Sequence, residues 1–198
     1  LAISRFLRKF AAYSKWNNTM DIHQPDALAV ANYMLELAKE EGKELQPLKL
    51  MKLVYIAHGF MLALLGRSAL NPRFDRVEAW QYGPVIPSVY HSFKSYGRNR
   101  IDAPTTILVP IDGGRDFKVE TPRLKDKDLK AACRAAYIQY SSFEPNTLVD
   151  MLHKEGSPWS MCYLKGANEI IPDSLTKIYY EGVISRFLNK VRSKQAEQ

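Results

Sequence analysis

Residues 46–66 read QPLKLMKLVYIAHGFMLALLG, and this stretch decides the fold class. A proline in its first turn favours the start of a helix, and Gly66 favours the end of one. After Lys52 the predicted helix is apolar on nearly every face, which is typical of a helix that other helices surround. The charged exceptions, Lys49 and Lys52, fall in the first turns, and we expect both near solvent. The sequence therefore predicts a central helix within a helical core.

Helical periodicity recurs on both sides of this central helix, with a small amount of strand between the helices. The extended, aromatic residues 74–82 end at Gly83-Pro84, and residues 105–111 and 117–120 flank the hairpin signal Asp112-Gly113-Gly114. A chain of 198 residues suits one domain. We therefore predict an α+β fold, a predominantly α-helical single domain with a small antiparallel β-sheet or hairpin. The further helices are predicted at residues 21–42, 87–97, 124–140, 144–153 and 172–191.

The net charge of +7 is concentrated at the two ends of the chain. Residues 1–19 carry four basic side chains and no acidic one, and residues 184–198 carry four basic side chains and one acidic one. The stretch 20–183 between them holds 20 basic and 20 acidic side chains and is neutral. Because phosphate neutralisation supplies most of the affinity for nucleic acid, we do not expect this neutral body to bind DNA or RNA.

The charge distribution also divides the chain into three parts. Residues 1–19 are predicted to be a basic extension outside the natural domain, which would then start at Met20; a basic binding arm is the alternative. Residues 20–183 are predicted to form the domain itself. Residues 184–198 are predicted to be the basic end of the last helix and a tail.

The apolar run and the cysteines bear on the compartment. The run at residues 53–65 is interrupted by His58 and Gly59 and is predicted to be too short to span a bilayer, so no membrane partner is expected. Cys133 and Cys162 lack neighbours at metal-ligand spacing and are predicted to be inert thiols in a reducing cytosol. We therefore expect a cytoplasmic protein.

No motif of a catalytic site stands out in the sequence. Phosphate loops, dinucleotide fingerprints and nucleophile elbows are missing from it. His58, in an apolar helix, is predicted to be a hydrogen-bonded core histidine, and His91 is predicted on an exposed helix face. His153 closes a helix, where a cation would suit the helix dipole. We predict that the protein is not an enzyme and binds no cofactor or metal.

Three segments carry more aromatic and turn residues than a generic core needs: residues 48–59, 77–87 and 152–159. Gly83-Pro84 imposes a turn with strict backbone geometry, which should bring Trp80 near Tyr90. The Ser-Pro pair before Trp159 likewise fixes where that indole points. Core packing is the simpler explanation of both tryptophans, and an aromatic protein-binding surface is the functional alternative.

Together these three segments resemble the Panacea domain, a family that includes SocA-type antitoxins and phage-associated GepA-like proteins. The resemblance runs from about residue 25 to residue 180, and its middle segment is the most specific part. It implies a set of motif residues that are mainly structural and build a common scaffold: Lys49, Leu50, Lys52, Leu53, Tyr55, Gly59, Glu78, Ala79, Trp80, Tyr82, Gly83, Pro84, Val85, Tyr90, Ser157, Pro158 and Trp159.

The resemblance implies an antitoxin of a bacterial or phage toxin–antitoxin pair, which neutralises a cognate toxin protein by direct binding. It also implies a second mode, in which SocA-like members hand the toxin to a protease such as a ClpXP-type machine. Our candidate toxin contacts are the aromatic residues Trp80, Tyr82, Tyr90 and Trp159, because aromatic side chains are favoured anchors of protein interfaces.

Two alternatives concern charge and nucleic acid. A toxin that attacks nucleic acid is expected to be basic, and an antitoxin that binds it would then need an acidic face. A solvated helix end is the simpler explanation of the acidic residues that could form such a face. The candidate acidic face is Glu36, Glu40, Glu41 and Glu44. A nucleic-acid-binding regulator is the other alternative, since residues 124–140 and 144–153 resemble a helix-turn-helix, although the second helix offers few cations.

Overall fold

The computed structural model describes residues 26–72, 75–112 and 115–196, and its centre is the predicted core helix. The helices are α1 (Ala27–Glu40), α2 (Pro47–Leu65), α3 (Pro87–Phe93), α4 (Lys127–Tyr140), α5 (Pro145–His153), α6 (Pro158–Cys162) and α7 (Asp173–Ala196), with a 3-10 turn at Lys94–Tyr96. The strands are β1 (Val77–Trp80), β2 (Gly83–Val85), β3 (Ile107–Ile111), β4 (Asp116–Glu120) and β5 (Ile170–Ile171). The prediction of a mostly helical α+β domain is confirmed.

Helix α2 forms the middle of the core. It begins at Pro47 and ends at Gly66, which adopts the left-handed conformation with φ of 65°. Helices α1, α4 and α7 pack around it, and its side chains from Leu50 to Leu62 are buried with the exception of Met51. By length and composition the whole helix could cross a membrane; the run at residues 53–65 that was predicted to be too short is only part of it. Two-thirds of its apolar window is buried inside the protein, as expected of a core helix.

Lys52 does not lie near solvent. Its side chain is fully buried, with 0% exposure, whereas Lys49 is half-buried. The prediction for Lys52 rested on its place in the first turns of α2, but the β1–β2 hairpin covers this end of the helix. Burial of Lys52 is therefore a consequence of tertiary packing.

Proline starts four of the helices, as its fixed φ and missing N–H favour. Aspartate side chains cap two further helices: Asp126 accepts hydrogen bonds from two backbone N–H groups in the first turn of α4, and Asp26 accepts one in the first turn of α1. Helix α4 therefore starts three residues later than its predicted start at residue 124. The cap predicted at residues 21–25 and the extension at residues 1–19 lie outside the described residues.

The larger sheet has the strand order β2-β1-β5, and all its pairs are antiparallel. Trp80 pairs with Gly83 across a two-residue turn, so Gly83-Pro84 opens strand β2 and does not form the turn itself. The turn was thus predicted two residues too late. Strand β5 was not predicted, because Ile170–Ile171 is too short to show alternation and becomes a strand only by pairing with β1.

Strands β3 and β4 form the predicted hairpin, which is a separate two-stranded sheet. Its base is held by Asn32 of α1, which donates to the carbonyls of Thr105 and Pro122 at 3.1 and 3.0 Å and accepts from the N–H of Thr105 at 2.9 Å. One face of the hairpin carries Leu108 opposite Val119, and both are about two-thirds exposed, at 67% and 69%.

Helices α2 and α7 are in close contact at Gly59. A Cβ atom at this position would overlap the ring of Tyr180, which is buried and packs edge-on against Tyr55 and at a tilt against Phe60. Glycine is therefore required here for the helix contact itself. This explains its place among the motif residues of the core helix.

Candidate functional site

The three segments singled out in the sequence meet at one place in the structure. The Nζ atom of Lys52 on α2 donates a hydrogen bond of 3.0 Å to the carbonyl oxygen of Pro84 on β2. A Cβ atom at Gly83 would lie 3.0 Å from this Nζ and 3.3 Å from Nε2 of His153 on α5. Gly83 also has a φ of 97°, so its backbone conformation favours glycine, and the two nitrogen atoms leave little room for a side chain.

The two bases that converge on Gly83 are both shifted toward their neutral forms. Burial lowers the pKa of Lys52 to about 7. Burial, together with the charge of Lys52, lowers the pKa of His153, and Asp150 opposes this weakly. Both effects disfavour the positive charge that was predicted for His153 at the end of its helix. Nε2 of His153 is buried and has no hydrogen-bond partner among the described residues.

An aromatic stack continues outward from His153. Its ring lies on the indole of Trp159 at 3.6 Å between centroids, and Trp159 lies on Tyr163 at 4.5 Å. The indole N–H of Trp159 donates to the carbonyl oxygen of Trp80 at 2.8 Å, which ties α6 to the hairpin. The Ser-Pro pair positions Trp159 as expected: Ser157 caps α6 by accepting from the N–H of residue 160, and it donates to a carbonyl at the end of α5 at 2.7 Å.

On the hairpin itself, Trp80 and Tyr90 are in contact, as predicted. Their ring centroids are 4.8 Å apart in an edge-on arrangement. The indole N–H of Trp80 donates to Glu78 at 2.8 Å, and Arg76 holds the other oxygen of this carboxylate at 2.9 Å. The polar groups of Glu78 and Trp80 are thus engaged inside the protein.

The motif residues separate into two groups in the structure. Most of them are core or backbone-positioning residues, in agreement with a common scaffold. Those that are buried are Leu50, Lys52, Leu53, Tyr55, Gly59, Glu78, Ala79, Gly83, Pro84, Val85, Ser157 and Pro158. Lys49 and three of the four candidate toxin contacts, Trp80, Tyr90 and Trp159, are half-buried, whereas Tyr82 is 66% exposed. Tyr82 offers the most free surface of the four, and the assignment of all four as toxin contacts stays a prediction.

The remaining chemistry-bearing residues are packing residues. His58 is buried, with Nε2 3.0 Å from a carboxylate oxygen of Asp173 and Nδ1 accepting from a backbone N–H, which confirms the core-histidine prediction. Cys133 is buried and burial raises the pKa of its thiol, while Cys162 is half-buried. Within residues 26–72, 75–112 and 115–196, no group of three or more His, Cys, Asp or Glu side chains is arranged to hold a metal ion.

Three of the four glutamates of the candidate acidic face are paired with basic side chains, which offsets most of its negative charge. Glu40 pairs with Arg134 at 3.0 Å, and Glu44 pairs with Arg100 at 2.9 Å. Glu41 is paired with a neighbouring lysine at 2.7 Å. Two of these cations come from distant parts of the chain and one lies two residues away, and all three offset negative charge. A solvated helix end is therefore the better description of this cluster.

Comparisons with known proteins agree with the resemblance seen in the motifs. The family model of the SocA-like antitoxin Panacea domain matches residues 50–160, which include the hairpin and the Ser-Pro-Trp segment. Antitoxin SocA of Caulobacter vibrioides (strain NA1000 / CB15N) is 34% identical to the chain over 143 residues, covering 72% of this chain and 73% of that protein. No solved structure was found to match the chain. The chain therefore belongs to the SocA-like antitoxin family defined by the Panacea domain.

Proposed function

We propose that this protein neutralises a cognate toxin protein by binding it directly, without catalysing a reaction. The observation that carries the proposal is its similarity to Antitoxin SocA over 72% of the chain. An interface of about 1,600 Å² in total is sufficient to cover the active site of a partner protein. Inhibition of this kind needs surface complementarity and no chemistry.

The place where the three motif segments meet, around Lys52, Gly83 and His153, is called the motif cluster. Its arrangement supports a binding role over a catalytic one. The carboxylate of Glu78 and the indole groups of Trp80 and Trp159 are used in internal hydrogen bonds. Gly83 fills the space between the two bases at the centre of the cluster. The cluster thus resembles a scaffold that holds a surface in place.

Part of this surface is aromatic, and we propose that Tyr82 contacts the toxin with Trp80, Tyr90 and Trp159 behind it. Tyr82 lies in the turn between β1 and β2 and is 66% exposed, while the three other rings are half-buried. An exposed aromatic residue on a rigid support is a typical interface anchor. Phe117 on the other hairpin is a matched control, since it is an aromatic residue that is 56% exposed.

Replacing Tyr82 by alanine is expected to weaken toxin binding by at least about tenfold, as for an interface hot spot. Replacing Phe117 by alanine should leave the affinity unchanged. Equal affinities for Tyr82→Ala and the unmodified protein would remove Tyr82 from the interface.

The proposal places the protein in the cytoplasm, where the free thiols of Cys133 and Cys162 would stay reduced. Delivery of the bound toxin to a ClpXP-type protease is a second candidate mode, and it is compatible with direct binding. The two modes differ in the fate of the toxin: direct inhibition leaves its amount unchanged, whereas delivery lowers it.

The proposal is tested by co-expressing the full chain with each adjacent open reading frame and measuring growth, toxin level and co-purification. Rescue from a lethal neighbour with a one-to-one complex is expected. Rescue with loss of the toxin protein would indicate delivery to a protease, and rescue without any complex would refute direct binding. A parallel arm with residues 20–198 tests whether residues 1–19 are dispensable.

A further inference from the structure

A partly apolar groove runs between helices α4, α5 and α7, beside the core helix α2. It consists of two adjoining recesses of about 250 and 40 Å³, which share Gln139, Tyr140 and Val183. We call it the Tyr140 groove and define it by Ala135, Tyr140, Phe143, Met151, Tyr179 and Val183. Its recesses are smaller than the roughly 300–1,000 Å³ of small-molecule sites, so they suit side chains of a partner better than a cofactor.

The floor of the groove is rigid and largely aromatic. Tyr140 packs edge-on against Phe60 at 6.1 Å and at a tilt against Phe143 at 6.3 Å. Tyr179 packs edge-on against the buried Tyr180 at 5.3 Å. Because these rings are held by the core below them, the groove is formed before any partner arrives, which lowers the entropic cost of binding.

The rim of the groove is basic. Tyr179, Val183, Arg186 and Lys190 recur on α7 at spacings of four, three and four residues, so they share one face of this helix. Burial raises the pKa of Tyr140 to about 12, and the charge of Arg186 acts in the opposite direction. At the other end of the groove Lys154 is part of its lining.

These cations are free to bind a partner. Within the described residues, neither Arg186 nor Lys190 nor Lys154 forms an ion pair, and none of the residues lining the two recesses is acidic. In contrast, Lys177 on another face of α7 lies 3.9 Å from Glu181. An unpaired basic rim around an apolar floor is complementary to an apolar segment that also carries carboxylates.

We propose that the Tyr140 groove receives an apolar segment of the toxin in which acidic residues flank the apolar ones. The inference rests on the proposed function and names the surface and the chemistry of its partner. Apolar side chains of the toxin fill the two recesses, and its carboxylates pair with Arg186, Lys190 and Lys154. The exposed face of the β3–β4 hairpin is a weaker candidate, because its neighbouring charges, such as Lys118 and Glu120, pair with each other.

The test compares charge reversals on two faces of the same helix. The full chain carrying Arg186→Glu and Lys190→Glu is titrated with the purified toxin at low and at high salt, beside the unmodified protein and Lys177→Glu. We expect the double variant to bind at least about tenfold more weakly at low salt, with a smaller difference at high salt. Lys177→Glu should bind as the unmodified protein does. All three substituted side chains are exposed, so the fold should be retained, which thermal melting checks.

Overlapping synthetic peptides of the toxin, titrated into the antitoxin, then identify the bound segment. An acidic and apolar peptide whose binding is lost in the double variant would support the proposal. Unchanged toxin binding by the double variant would overturn the groove proposal and leave the proposed function standing. If the unmodified protein does not bind the toxin, the proposed function fails first and the groove proposal falls with it. A double variant that loses binding to duplex DNA and keeps the toxin would show a nucleic-acid surface, and would also overturn the proposal.

Discussion

Replacing Lys52 by methionine should make the stability of this protein less dependent on pH. Lys52 is fully buried, and burial lowers its pKa from 10.5 in the unfolded chain to about 7. Its ammonium has the Pro84 carbonyl as a hydrogen-bond acceptor, and no carboxylate of the described chain forms an ion pair with it. Methionine has a similar length and carries no charge, so Lys52→Met removes the buried charge without leaving a large cavity.

The expected effect follows from the difference in bound protons. Between pH 7 and pH 10.5 the unfolded chain holds a proton on Lys52 that the folded protein increasingly lacks, so stability rises with pH in this window. Below pH 7 both states are protonated and the full penalty applies, which a shift of this size puts at about 5 kcal/mol. From pH 7 to pH 9 the gain in stability is about 2 kcal/mol.

The assay is unfolding by urea at pH 7, 8 and 9, for the unmodified protein and for Lys52→Met. Above about pH 9 Cys133 works in the opposite direction, because burial raises the pKa of its thiol and the unfolded chain then loses a proton first. The difference between the two proteins cancels this contribution, since both retain Cys133. At pH 7 the variant should be the more stable protein, although losing the hydrogen bond to Pro84 costs about 1–3 kcal/mol of the gain.

Parallel pH profiles for the two proteins would refute the argument. They would mean that Lys52 has an ordinary pKa in the folded protein, through water or a partner that neutralises the effect of burial. A lower stability of the variant at pH 9 together with a shallower slope would still agree with the argument, because the hydrogen bond is lost at every pH.

Three further substitutions test the packing around the site. Gly59→Ala should destabilise the protein by about 1–3 kcal/mol or more in urea unfolding, because the added methyl overlaps Tyr180. A stabilised variant, which helix propensity alone would give, would contradict the close packing. Ser157→Ala should cost about 1–2 kcal/mol by removing the cap of α6, and a change below a few tenths would mean that the cap is unimportant. Asn32→Ala removes the hydrogen-bond partner of the backbone at Thr105, so amide hydrogen exchange should accelerate more at the base of the β3–β4 hairpin than elsewhere. An equal acceleration at all amides would count against this anchor.

Local patterns determined the parts of this fold that depend on neighbours in sequence. The apolar residues 46–66, the prolines that start helices and the paired strands 107–111 and 116–120 were predictable, because periodicity and turn chemistry act over a few residues. The contact of Trp80 with Tyr90 was predictable for the same reason, since a short hairpin joins them.

Tertiary packing decided the rest. Lys52 is buried because a strand more than thirty residues later covers the start of α2, and no local pattern contains that strand. Burial and the charge of Lys52 lower the pKa of His153, and the sequence signal for a helix-end cation is the same with or without these neighbours. The Tyr140 groove is made by three helices whose apolar residues look alike in sequence, whether they fill the core or line its edge. The sequence by itself determined which segments form helices and strands and which residues are apolar. Only the tertiary structure decided which polar groups are buried with them and which apolar groups remain open to a partner, because both depend on contacts between distant segments.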